Sequence, residues 1–221
     1  MASNGATNGE SAQVMAAPSD QRAARRYTLL LLTAKLIAPA GEFLCILRDV
    51  SATGLKARLF HDLPDVADWQ LELGSGARHA LEPVWQADGH AGFRFAAGSV
   101  DPLRLMDQDA GPFPKRHIRL RLELPVLLWA DGAARAGRLC DLSQLGAQIE
   151  ADPPLALRQL VRIEAPGLPL RHARVRWRRG TAHGLVFHEA FRLDELAVLA
   201  AHLQGVESAA PSGPTHWRVN Q

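Results

Sequence analysis

The chain has 221 residues, 47% of them hydrophobic and 22% charged, with a formal net charge of +2. That length accommodates one large or two small domains, and the composition is that of a globular protein rather than a low-complexity one. So small a net charge gives no bulk argument for nucleic acid. Two cysteines, Cys45 and Cys140, exclude a disulfide framework and fit no metal-ligand spacing.

In chain order, Met1 to Asp20 is rich in Ala, Ser, Asn and Gly and lacks the basic and apolar regions of a signal peptide. It is expected to be a disordered leader over 1–20. A first β-rich domain is expected over 21–108. It opens on an apolar stretch, Tyr27 to Ile37, followed by the turn signal Ala38-Pro-Ala-Gly41 and a second strand from Phe43 to Val50. A short helix is expected near Val100 to Met106. Gly and Pro over 109–114 mark a linker. The second domain, 115–204, opens on Arg119 to Trp129, which alternates as a half-buried strand does. Asp131-Gly132 then turns the chain. Val175 and Trp177 alternate with Arg174, Arg176 and Arg178, which predicts Trp177 on the face opposite the arginines. A helical pattern runs from Phe191 to Leu203, and 205–221 reads as a flexible tail. No apolar run approaches the ~20 residues that span a bilayer, so the expected setting is cytoplasmic, with reduced thiols and no membrane span.

The two domains repeat one another. Asp49, Ser51, Gly54, Trp85, Gly92 and Phe95 recur as Asp141, Ser143, Gly146, Trp177, Gly184 and Phe187, each 92 positions later. Arg26 recurs as Arg119 at 93. With about six short strands per half, the fold expected is all-β: two tandem six-stranded antiparallel barrels, each closed by a short helix. Charge differs between the halves. Residues 20–108 hold ten Lys/Arg against eleven Asp/Glu, and residues 113–190 hold thirteen against seven.

The segment Asp-x-Ser-x-x-Gly falls where one strand turns into the next. Its structural reading is a side-chain-capped turn with the glycine at positive φ. The basic pair upstream, Arg22 with Arg26, and Lys115 with Arg119 in the second half, points to an anion with planar groups. Guanidinium forks bind phosphate and stack on flat rings. Trp85 and Trp177 are read as core or barrel-wall residues, with ligand stacking as the alternative. Nine histidines include no HExxH and no ligand spacing to cysteine, and they are read as ordinary surface or partly buried residues; for His117, within the second basic segment, the alternative is an approach to a bound anion. No nucleophile elbow or phosphate loop is present, so no catalytic residue, metal or cofactor is expected.

Arg22-x-x-x-Arg26, Asp49-x-Ser51-x-x-Gly54, Val84-Trp85 and Gly92-x-x-Phe95 together resemble the PilZ domain. Lys115-x-x-x-Arg119, Asp141-x-Ser143-x-x-Gly146, Trp177 and Gly184-x-x-Phe187 resemble a second copy. The resemblance implies binding of cyclic di-GMP. Arg22 and Arg26, with Arg25 as a helper, would clamp phosphates and stack on guanines; Asp49 and Ser51 would bond a guanine edge; Gly54 would keep the turn open. In the second half Lys115 replaces the first arginine and loses the planar fork, so weaker binding is expected from Lys115, Arg119, Asp141, Ser143 and Gly146. The function expected is a non-enzymatic sensor that relays the signal to an unidentified downstream protein. The alternatives are an adaptor of the same fold without ligand, most credible for the second domain, and, less favoured, a nucleic-acid-binding barrel motivated by the basic second half. The stripe Arg174, Arg176, Arg178, Arg179 reads as a solvated strand face or a docking surface.

Overall fold

The computed structural model describes residues 26–27, 31–107, 117–206 and 215–216. The expected leader and linker, and with them Arg22, Arg25 and Lys115, lie outside the described residues.

Two closed six-stranded antiparallel barrels follow one another. The first is built from β1 (Leu32–Ala38), β2 (Gly41–Val50), β3 (Gly54–Arg58), β4 (Trp69–Leu73), β5 (Arg78–Ala87) and β6 (His90–Phe95), with a short helix α1 (Pro102–Met106) after it. The strands run β5-β4-β1-β2-β3-β6 and β6 returns to β5, which closes the barrel. The second comprises β7 (Leu120–Ala130), β8 (Ala133–Ser143), β9 (Gly146–Ala151), β10 (Leu160–Ala165), β11 (Leu168–Arg179) and β12 (Ala182–Phe187), with α2 (Leu193–Leu203) behind it. Its cyclic order is the same. Closure pairs the edge strands β5 and β6 with each other, as it pairs β11 with β12. A two-residue strand, β13 (Thr215–His216), lies in the segment read as a tail and pairs with β5 opposite Gln86 and Trp85.

The strands form where apolar residues alternate. In β7, Leu120, Leu122, Val126, Leu128 and Ala130 are buried, while Arg121, Glu123, Pro125 and Leu127 face outward. The Asp131-Gly132 turn has both residues at positive φ, 51° and 77°, the geometry whose twist matches a two-residue hairpin. The barrel interiors differ in chemistry. The first is filled by Phe43, Trp69 and Phe93, with ring centroids 5.9 and 6.1 Å apart. The second is mainly aliphatic, around Leu128, Leu139, Leu142, Ile149 and Val161.

One strand starts later than its sequence pattern. β1 begins at Leu32, and Tyr27 makes a single bridge to Val50. That bridge explains the repeat offset of 93 at the arginines. Tyr27 faces Val50 as Leu120 faces Leu142, whereas Leu32 faces Leu47 as Leu124 faces Leu139. The extra residue of the first barrel therefore lies between Tyr27 and Leu32, and Arg26 and Arg119 occupy equivalent places just before the paired residue.

The barrels are joined by more than covalent continuity. Leu44 of β2 packs into the second core, and Ala201 of α2 into the first. Gln204, at the end of α2, accepts from the Glu42 backbone N–H at 2.7 Å and donates to its carbonyl at 2.9 Å. Among the described residues, no helix is long and apolar enough to cross a membrane.

Candidate functional site: two equivalent cavities

Each barrel carries a cavity over its Asp-x-Ser-x-x-Gly turn. The first, about 300 Å³, is lined by Arg26, Asp49, Ser51, Gly54, Trp85 and Arg94 among others. The second, about 770 Å³, is lined by Arg119, Asp141, Ser143, Gly146, Trp177 and Arg178 among others. The candidate residues that lie within the described part of the chain line these two cavities, one set in each.

The aspartates reach these cavities because of bulges. The β2–β3 register slips between Leu47 and Asp49, and the β8–β9 register between Leu139 and Asp141. A bulge bends the strand and re-aims the side chain beside it. Arg119 already has a use in the fold. Its guanidinium donates to Asp141 Oδ1 at 2.6 Å, and the same oxygen accepts from the Gln148 backbone N–H at 3.1 Å. The basic segment is therefore also a structural partner of the aspartate, which the sequence gives no means to foresee.

The serines are turn residues. Ser51 Oγ donates to the Gly54 carbonyl at 3.2 Å and accepts from the Gly54 N–H at 3.2 Å. Ser143 Oγ donates to the Gly146 carbonyl at 3.0 Å. Both are buried. The glycines differ from expectation: neither Gly54 nor Gly146 is at positive φ. They are required because a Cβ at Gly54 would strike the Phe93 carbonyl oxygen, and one at Gly146 the Leu185 carbonyl oxygen. The close approach is of one strand to the next.

Trp85 and Trp177 are cavity-wall residues, Trp177 being 37% exposed, and not core. Each indole lies over the glycine opposite it, Gly92 or Gly184, where a Cβ would overlap the ring. Simple alternation puts Trp177 opposite the arginines. It fails because the β11–β12 register slips between Val175 and Trp177, as β5–β6 slips between Pro83 and Trp85. Arg176, Trp177, Arg178 and Arg179 are all exposed as a result, and Trp177, Arg178 and Arg179 line one cavity.

Sequence reasoning missed four cavity cations, Lys56 and Arg94 in the first barrel and Arg178 and Arg179 in the second. Lys56 lies 5.9 Å from the Trp85 ring centroid. Arg94 lines the first cavity and pairs with Glu82 at 2.7 Å. Arg178 and Arg179, read only as part of a stripe, line the second. No shared motif marks these residues, since they differ between the repeats. His117 does line the second cavity. Among the described residues no group of His, Cys, Asp and Glu could hold a metal.

A chain of two β-barrels, each presenting an arginine, an aspartate and an indole to one cavity, is a protein built around a repeated binding-site scaffold. Residues 114–205, which span the second barrel and α2, match the family model described as PilZ domain. No curated protein matches the chain. Among solved structures it is similar to the PlzA protein of Borreliella burgdorferi in complex with c-di-GMP, at 14% identity and TM-score 0.35, covering 80% of this chain and 88% of that one. It is also similar to the Bacillus subtilis inhibitor of motility MotI/DgrA, at 12% identity and TM-score 0.33, covering 79% and 95%. A third is the K. pneumonia MrkH–c-di-GMP complex, at 12% identity and TM-score 0.30, covering 78% and 85%.

Proposed function

We propose that the protein is a cyclic di-GMP sensor, that both barrels are PilZ domains, and that it signals through protein contacts in the cytoplasm. One observation carries the reading. The residues whose pattern resembles the family's ligand motif line a cavity in each barrel, at equivalent register, and the family model matches the second barrel. The chemistry suits a cyclic dinucleotide. Arg26 and Arg119 supply planar forks for phosphate and a surface for stacking on guanine. Asp49 and Asp141 accept from the N–H groups of a guanine edge. Arg22 and Lys115, four residues upstream of those arginines, complete the basic pairs. Ser51, Ser143, Gly54 and Gly146 act by shaping the turn that presents the aspartates.

Ligand binding in the second barrel exchanges the Arg119–Asp141 pair for contacts to ligand. Binding then moves Arg119 relative to β8, which is the differential contact a signal needs. That same pair favours the adaptor reading for the second barrel, because the site is internally satisfied without ligand.

Calorimetric titration of cyclic di-GMP into the intact protein, Arg26→Ala and Arg119→Ala tests the reading. The expected result is binding by the intact protein and loss of one class of sites in each variant. An intact protein that takes up no ligand would leave the adaptor reading in its place.

A further inference from the structure

The two cavities are not charged alike, and the difference is systematic. In the first, the cations beyond Arg26 are Lys56 of β3 and Arg94 of β6. Their counterparts in the second barrel are Gln148 and Val186, both neutral. In the second, the cations beyond Arg119 and His117 are Arg178 and Arg179 of β11, and their counterparts in the first are Gln86 and Ala87. The equivalence rests on strand register: Arg178 faces His183 and Arg179 faces Ala182, as Gln86 faces Ala91 and Ala87 faces His90.

A second exchange makes room for the first. Gln86 is buried, and its Oε1 accepts from the Leu63 backbone N–H at 3.0 Å, holding the connection between β3 and β4. In the second barrel the equivalent N–H, that of Leu155, donates instead to Nε2 of His183 at 3.0 Å. His183 is 0% exposed, and burial holds its imidazole below the ordinary 6.5, in the neutral form that can accept. The position of Gln86 is thereby released from its structural duty. Arg178 fills it, retains one contact to the Leu155 carbonyl at 3.3 Å, and lines the cavity. Arg178 and Arg179 form no ion pair with a carboxylate among the described residues, whereas Arg78, Arg94, Arg119, Arg138, Arg162 and Arg192 do.

We infer that in the second barrel the phosphates of the ligand are held from the β11 wall by Arg178 and Arg179, where the first barrel uses β3 and β6. The inference rests on the reading of this barrel as a cyclic dinucleotide site. It means that the second barrel is a binding site of different pose rather than a degraded copy. Two guanidinium groups without a carboxylate partner among the described residues, beside an indole, offer bidentate phosphate contacts and a flat face for a base.

The test isolates the second site by Arg26→Ala and then replaces Arg178→Gln with Arg179→Ala, the residues of the first barrel. Calorimetric titration with cyclic di-GMP is expected to show second-site affinity at least about tenfold weaker, the scale of one lost charged hydrogen bond. Arg178→Lys with Arg179→Lys keeps the charge without the fork and is expected to show an intermediate loss. It also serves if the Gln/Ala pair unsettles the strand, and retained first-site binding with Arg26 intact reports folding. Unchanged affinity in both pairs overturns the inference, as does Arg26→Ala protein that binds nothing while the intact protein binds. No binding by the intact protein overturns the sensor reading itself.

Discussion

At the scale of single residues, the glycines of the motif separate two physical demands. Gly184 makes way for the Trp177 indole, and Gly146 makes way for the Leu185 carbonyl oxygen of the neighbouring strand. An indole can tilt, at the cost of its place in the cavity wall; a ladder carbonyl cannot yield without moving β12 against β9. Overpacking typically costs about 1–3 kcal/mol. Gly184→Ala is therefore expected at the low end of that range and Gly146→Ala at or above its top, measured by denaturant unfolding. Gly184→Ala should also shift tryptophan emission, whereas equal destabilisation by the two would remove the distinction. The sequence marks these glycines as repeated but not why. The spacing of Gly146 suits a turn that needs positive φ, and only the structure shows that its constraint is a close crossing of strands and that of Gly184 an indole.

Elements explain where reading the pattern succeeds and where it stops. Alternation in β7 and the Asp131-Gly132 turn are local properties, so strand, turn and repeat are visible in the residues themselves. A bulge is not local: whether one residue or two oppose a partner depends on the neighbouring strand, and so Trp177 is assigned to the wrong face by period alone. The same holds for the connection between β9 and β10, which hangs on His183 from β12. The sign of its pH dependence is fixed by burial. The folded imidazole titrates below the ordinary 6.5, so as pH falls through that value the unfolded chain takes up the proton first. Stability is full above that range and is lost as pH falls towards the folded value. His61, also buried and also held low by desolvation, adds a loss of the same sign. His183→Gln is expected to remove its share of this acid sensitivity. It should show as a smaller drop in melting temperature between neutral pH and pH about 5 than in the unsubstituted protein; an identical drop would assign the effect to His61 alone.

The molecule as a whole is held together by a cluster with no sequence signature. Lys35, 4% exposed, spends all three ammonium donors: on Glu42 and Glu72 at 2.9 Å each, and on the Arg119 backbone carbonyl at 3.0 Å. Glu42 Oε2 also accepts from the Arg121 N–H at 2.8 Å. These partners are 79 and 84 positions apart, and no period or motif links them. The consequence is that the backbone carrying Arg119 is gripped by the first barrel. Burial raises the Glu72 carboxyl, but Lys35 and Arg78 more than offset that and hold it below the ordinary 4.5. Its share of stability is present above that value and is lost as pH falls through the lower folded value. Removing one partner from a buried ion cluster leaves the other uncompensated and costs about 3–5 kcal/mol. Glu42→Ala removes the carboxylate and frees the Arg121 N–H together, at the joint between the barrels. The intact chain is expected to unfold in one calorimetric transition. Glu42→Ala is expected to split it into two, because each barrel keeps its own core while the joint between them is lost. A single transition merely shifted to lower temperature would mean that the shared packing of Leu44 and Ala201, rather than the ionic cluster, couples the barrels.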